Sequence, residues 1–167
     1  MARYEMSGMT VRCIMKVLEY LDASSTKYEI KRHRPVFTAQ HMAQQEHVHG
    51  MNVAKPVVVK ADGVFYMCVL PACCKIEFDA LKSVLEADEV VLADEREMEK
   101  LFPDCQLGAE PPFGSLYGMP TIMDDRLEYD EYIVFQDGSH DEALKIDLKD
   151  YLKIESPKIF SFSYHIR

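Results

Sequence analysis

The sequence predicts a single compact α+β domain spanning residues 1–167, built on a mixed, mostly antiparallel sheet with flanking helices. Three observations lead to this class. In "PVVVKADGVFYMCVL", two β-branched or aromatic runs flank Asp62-Gly63, a dipeptide suited to a type I′ hairpin turn. "EYIVFQ" and "EALKI", joined through "DGSHD", read as a second antiparallel pair. Segments with helical apolar spacing are interspersed among these strands, and no repeat, low-complexity tract or linker divides the chain.

From Thr10, a possible N-cap by residue type, the apolar residues Val11, Ile14, Met15, Leu18 and Leu21 recur at helical spacing, predicting a helix that ends near Asp22. "KYEIKRH" follows as a short strand. "FTAQHMAQQEHV" suits a second helix, with Thr38 as its cap and Met42 and Ala43 facing inward. In the hairpin, a two-residue loop fixes the register: Ala61 pairs with Val64, Val59 with Tyr66, Val57 with Cys68 and Lys55 with Leu70. Alternation puts Lys55, Val57 and Val59 on one face and Pro56, Val58 and Lys60 on the other. Both faces are largely apolar, so the hairpin belongs inside a sheet. "EFDALKSVLEA" and "ADEREMEKLF" are helices, the second with a capping-box pattern at Asp94 and Glu97 and a stop at Pro103. "PDCQLGAEPPFGSLYGMP" holds too many prolines and glycines for a helix or central strand and reads as a shaped loop. "DLKDYLKI" closes the chain with a short helix.

Nineteen Lys and Arg against 28 Asp and Glu give a formal charge of −9, which argues against broad binding to a nucleic-acid backbone, DNA included. Lys27, Lys31, Arg32 and Arg34 form a local basic cluster that is either a solvated strand end or a phosphate contact. No apolar run approaches membrane-spanning length and the first residues lack the apolar core of a signal peptide, so a cytoplasmic protein is expected. Cys13, Cys68, Cys73, Cys74 and Cys105 form an odd set without CxxC spacing, which predicts reduced thiols rather than a disulfide framework.

Four features carry chemistry. Lys55 opens an apolar strand, and Pro56 fixes its backbone as extended; its stem either snorkels to water or presents the ammonium to an anionic ligand. The loop with Gly108, Gly114 and Gly118 either turns backbone N–H groups toward a ligand or serves as a crossover packed by Phe113, Leu116 and Tyr117. At "DGSH", Gly138 permits a tight turn and Ser139 and His140 offer polar groups. His41, His47 and His49, even with Cys73 and Cys74, have no diagnostic ligand spacing, so neither a metal nor another cofactor is expected. The absence of a GxSxG elbow, a Walker loop and a GxGxxG turn removes support for the common hydrolase, nucleotidase and dinucleotide readings.

Taken together, "RPVFTAQ", "HVHGMNVAKPVVVKADG", "VLPA", "LADEREMEKLFPDCQLGAEPPFGSLYGMP" and "FQDGSHDEALKI" resemble the YbaK/prolyl-tRNA synthetase-associated domain family of aminoacyl-tRNA editing deacylases, over most of the chain. The resemblance implies a free-standing domain that hydrolyses mischarged tRNA, with tRNA-Pro carrying Ala, Ser or Cys as the favoured substrate and a synthetase as a further partner. The family's strand-opening lysine matches Lys55, its glycine-containing substrate loop matches Phe113, Gly114, Ser115, Leu116, Tyr117, Gly118 and on to Pro120, and a late-strand glycine matches Gly138. Ser139 and His140 are pocket candidates beside it, while Cys73 and Cys74 match no family role. Because an aminoacyl ester is already activated, such a site needs a positioned water or ribose hydroxyl and donors for the oxyanion, not a covalent nucleophile. The resemblance therefore implies that Lys55 holds the terminal phosphate or ribose, N–H groups near Gly114 polarise the carbonyl, and Phe113, Leu116 and Tyr117 select the side chain by size. Contact confined to the acceptor end reconciles this substrate with the acidic chain and predicts weak binding of free tRNA. The competing expectation is a binding module that holds an aminoacyl-tRNA end or a small ligand without cleaving it.

Overall fold

The computed structural model describes residues 8–32 and 50–166. The helix expected over 37–48, with Thr38, Met42 and Ala43, lies outside them, as do Arg34, His41, His47 and His49. The predicted fold class stands: helices α1 (Gly8–Ala23), α2 (Phe78–Leu85), α3 (Glu95–Leu101) and α4 (Leu148–Glu155) flank mixed sheets in which antiparallel pairing dominates. The largest sheet has the order β5 (Val90–Leu92), β2 (Ala54–Ala61), β3 (Val64–Pro71), β6 (Thr121–Asp124), β9 (Lys158–Phe160); its β3–β6 and β6–β9 pairs are parallel. A second sheet joins β1 (Tyr28–Arg32), β8 (Glu142–Asp147) and β7 (Tyr132–Gln136), and a two-stranded ribbon pairs β10 (Ser163–His165) with β4 (Cys74–Ile76).

The hairpin follows the predicted register at every pair, because Asp62 (φ 46°) and Gly63 (φ 84°) both take the left-handed backbone that a type I′ turn requires. Asp62 also accepts the N–H groups of Asp88 and Glu89, which ties the turn to the approach to β5. The capping box is present at α3: Asp94 accepts the Glu97 N–H, and the Glu97 carboxylate accepts the Asp94 N–H. Helix α1 starts at Gly8, so Thr10 lies inside it and is not its cap. The short strands β4, β5, β6, β9 and β10 had no sequence signal, since three or four residues are too few to establish a period of two.

Alternation along β2 and β3 divides the core. Ala54, Val58, Met67 and Val69 face one cluster, closed by Val17 and Leu21 of α1, Phe135 of β7 and Tyr151 of α4. Val59, Ala61, Cys68 and Leu70 face a second, closed by Leu81 of α2 and by Cys74 and Ile76 of β4. Each fully buried side chain of Leu or Phe size contributes ~1.5–3 kcal/mol, so both faces hold the sheet in place. A disulfide joins Cys13 of α1 to Cys105, across 92 residues of sequence and a Cα–Cα distance of 5.5 Å. This corrects the expectation of reduced thiols for that pair; Cys68, Cys73 and Cys74 are free.

Candidate functional site

Lys55 sits at the second position of β2, opposite Leu70 and on the face of the second cluster. Its ammonium is half-buried and donates to the main-chain oxygen of Cys74 at 2.6 Å. Loss of water holds its pKa below the usual lysine value; the nearby thiols of Cys74 and Cys73 oppose this shift, and Lys75 reinforces it. Among the described residues, no carboxylate forms an ion pair with it. A partly dehydrated cation with one neutral acceptor is suited to an anion, because a phosphate or carboxylate would supply the missing counter-charge.

The proline and glycine loop takes a different position. Gly108 (φ 86°) and Gly118 (φ 71°) occupy left-handed backbone, and Gly114–Tyr117 form a 3₁₀ turn. Phe113 is fully buried in the first cluster, edge-to-face against Tyr20, Phe135 and Tyr151 at centroid distances of 5.6, 5.3 and 5.4 Å. Leu116 and Tyr117 pack against the same cluster. The Tyr117 ring rests on Phe102, and its hydroxyl lies 3.2 Å from both Cys13 Sγ and Cys105 Sγ. Among the described residues, Phe113, Leu116 and Tyr117 therefore pack on the opposite side of the sheet from Lys55 and are not brought together with it. The expected carbonyl-polarising donors are also engaged elsewhere: Gly114 N–H donates to Thr121 Oγ1 at 2.9 Å, and Ser115 N–H to Glu155 Oε1 at 3.0 Å. Gly114 has no room for a side chain, since a Cβ would come within 2.5 Å of Thr121 Oγ1 and 2.7 Å of the Met119 carbonyl oxygen.

Ser115 and Gly118 are the exposed candidates of the aromatic loop, and of the two only Ser115 carries a side chain. It lines a cavity of about 440 Å³, walled by Tyr66, Val84, Ile122 and Phe160 and edged by Thr121 and Glu155. Tyr66 pairs with Val59, so this cavity opens on the Lys55 face of the sheet, four residues further along β2, a distance of ~13 Å at strand rise. Lys55 does not line it. Ser115 Oγ and Thr121 Oγ1 both donate to the Glu155 carboxylate, each at 2.7 Å, which closes the cavity's polar edge.

Gly138, Ser139 and His140 form a buried strut. Gly138 has φ 115°, and a Cβ there would collide with Cys13 Sγ. The Ser139 hydroxyl donates to Asp137 Oδ1 at 3.0 Å, His140 N–H donates to Gln106 Oε1 at 2.8 Å, and His140 Nε2 lies 2.8 Å from the Leu107 carbonyl oxygen. The disulfide, Tyr117 and Gly138 thus come together, and with them the two candidate loops. The link to Lys55 is through backbone: a parallel bridge pairs Val53, two residues before it, with Val134 of β7, the strand that leads into Asp137. Asp137 was missed because "DG" reads as a turn. Burial pushes its carboxyl up to about 8, the hydrogen-bonded Glu142 adds to the rise, and Ser139 opposes it. In the basic cluster, Arg32 donates to Glu142 Oε1 at 3.0 Å, so this guanidinium already has an acidic partner. Cys13, Asp104 and Cys105 have metal-ligand proximity among the described residues, but two of the three sulfur and oxygen donors are consumed by the disulfide.

The sequence profile of the aminoacyl-tRNA editing domain matches residues 33–154. No curated protein matches the chain by sequence. Among solved structures, the hypothetical protein APE2540 superposes with a TM-score of 0.81 at 18% identity, covering 89% of this chain and 99% of its own. A protein assigned as a trans-editing enzyme for prolyl tRNA synthetase superposes with a TM-score of 0.78 at 15% identity, covering 96% of this chain and 99% of its own. At these identities the structural likeness speaks for the fold, while the profile covers most of the sequence, including Lys55 and both candidate loops. The chain belongs to the aminoacyl-tRNA editing domain family.

Proposed function

We propose that this chain is a trans-editing deacylase that hydrolyses mischarged aminoacyl-tRNA in the cytoplasm, with tRNA-Pro carrying Ala, Ser or Cys as its substrate class. The observation that carries this reading is Lys55: a half-buried ammonium without a carboxylate partner among the described residues, in a chain of the editing family. Lys55 meets a phosphate or ribose oxygen of the acceptor end by turning from the Cys74 carbonyl. Water then attacks the ester carbonyl, the bond to the ribose oxygen breaks, and that oxygen takes up a proton as the amino acid leaves. The neighbouring ribose hydroxyl assists the water, since the ester needs positioning more than a strong protein base. Ser115 contributes the exposed hydroxyl of its loop. Phe113, Leu116, Tyr117, Gly114, Gly118, Gly138, Ser139 and His140 act from behind, by fixing the loops and the sheet that carry the site. A synthetase is the natural source of the mischarged substrate.

A panel of tRNAs charged with correct and incorrect amino acids tests the reading. Release of Ala, Ser or Cys from tRNA-Pro, with Pro-tRNA-Pro spared, is the expected result. Discrimination between amino acids that differ by a methylene is limited to about 10–200-fold when pocket size is the only means of selection. If every charged tRNA binds and none is hydrolysed, the chain is a binding module instead. The engaged N–H groups of Gly114 and Ser115 are the observation that favours that second outcome.

A further inference from the structure

The thiols of Cys73 and Cys74 lie near Lys55, and the Met51 thioether adjoins Cys73. The Cys73 thiol donates to Met51 Sδ at 3.2 Å, and its sulfur lies 4.0 Å from Cys74 Sγ. Adjacent residues of a regular strand point to opposite faces, but the chain turns through Ala72 and Cys73 before β4 begins at Cys74, which brings both thiols to one side. The backbone here is pinned: Ala72 N–H donates to the Val53 carbonyl, and Ile166 N–H to the Cys73 carbonyl, each at 2.9 Å. Cys74 is fully buried, whereas Cys73 and Met51 are half-buried, so one side of the group is reachable.

Thiolate and thioether ligands together select soft ions, Cu(I) above all. With metal–sulfur bonds of about 2.3 Å, the 4.0 Å separation of the two thiol sulfurs subtends about 120° at the ion and the 3.2 Å Cys73–Met51 separation about 90°, so Met51 Sδ swings away from Cys73 to complete a three-coordinate centre. Two thiolates and one monovalent cation carry a single negative charge, and the Lys55 ammonium, hydrogen-bonded to the Cys74 carbonyl, stands ready to offset it. We propose that Met51, Cys73 and Cys74 form a binding site for a soft monovalent cation, with Lys55 as its counter-charge. On binding, two S–H bonds are exchanged for two S–Cu bonds, two protons leave to solvent, and copper remains Cu(I) throughout. Lys55 is shared with the proposed editing site, but copper uptake is measured without tRNA, so its outcome and that of the proposed function are separately readable.

The test is an anaerobic titration of the intact protein with Cu(I) against a chromophoric Cu(I) chelator, with the Cys13–Cys105 disulfide left oxidised. The expected result is one Cu(I) per chain, with thiolate-to-copper charge-transfer absorbance in the near ultraviolet. Cys73→Ser and Cys74→Ser each weaken binding at least 100-fold and Met51→Leu about tenfold, while Cys68→Ala leaves it unchanged. X-ray absorption of the copper-loaded wild type needs no variant to fold and is expected to show a first shell of sulfur only. Failure of the wild type to take Cu(I) from the chelator, a nitrogen or oxygen first shell, or binding that survives in the Cys73→Ser/Cys74→Ser double variant would each overturn the site.

Discussion

Lys55 and Lys60 stand five residues apart on the same strand, on opposite faces, and they meet different fates. Lys60 donates to Glu97 Oε2 at 2.6 Å, and that hydrogen bond raises its pKa. Glu97 is the same carboxylate that closes the capping box of α3, so helix geometry delivers the partner. Among the described residues, Lys55 meets a main-chain carbonyl, two nearby thiols and the like charge of Lys75, and dehydration lowers its pKa. The two residues are identical in chemistry, and each has apolar neighbours on the same strand. What separates them is the element that packs over each face. One face presents an acidic helix and satisfies its lysine; the other presents sulfur and backbone, leaving the charge for a ligand.

Reversing the charge at Lys55 gives the largest expected effect. Lys55→Glu places a carboxylate beside the Cys74 carbonyl and repels the tRNA backbone, so deacylation should fall by more than 1,000-fold, ~4 kcal/mol of transition-state stabilisation. Retention of the far-ultraviolet circular dichroism spectrum distinguishes this from unfolding.

The contrast extends to the acids, where Asp137 is buried and Glu97 is paired, and it predicts opposite pH signatures. Asp137 titrates higher in the folded protein than in the unfolded chain, so the native state holds the extra proton. Its contribution is complete below pH ~4 and is lost as pH rises toward about 8. Chemical unfolding across that range should show stability falling with pH in the wild type, with a flatter profile in Asp137→Asn. A wild-type profile that rises with pH through this window would place the proton elsewhere.

Glu97→Gln is the smallest of these effects. The hydrogen bond from Lys60 holds the Glu97 carboxyl below its usual range, with the Asp94 N–H adding to it, so its contribution is present at neutral pH and lost as pH falls through the folded-state value. Thermal melts should show a slightly lower Tm for the variant near pH 7 and no difference in acid, with deacylation unchanged. A large loss of activity would mean that the paired face also serves the substrate.

The parts of this fold that were legible in sequence are those set by local chemistry. Asp62-Gly63 determines a turn, the turn determines a register, and the register places Lys55 opposite Leu70 without any tertiary information. Asp94 and Glu97 are equally local. Illegible were the contacts made at long range. The period of two tells which residues share a face with Lys55, but not that the distant Phe113 would fill the core on the other side. Aromatics in a glycine-rich loop look alike whether they line a pocket or close a core, and here Tyr20, Phe135 and Tyr151 decide for Phe113. Ser139 and His140 looked like site groups because they are polar residues at a turn. Burial converted them into struts held by Asp137, Gln106 and Leu107. The Cys13–Cys105 bridge spans 92 residues, and spacing rules for cysteine pairs do not reach that far.

The most direct test of the account compares Lys55→Ala with Lys60→Ala in single-turnover deacylation of Ala-tRNA-Pro. Lys55→Ala is expected to lose about 100-fold, ~2.7 kcal/mol at the transition state, with Lys60→Ala at the wild-type rate. Equal rates for the two variants would contradict it, because Lys55, with no carboxylate partner among the described residues, would then contribute no more to the reaction than the ion-paired Lys60.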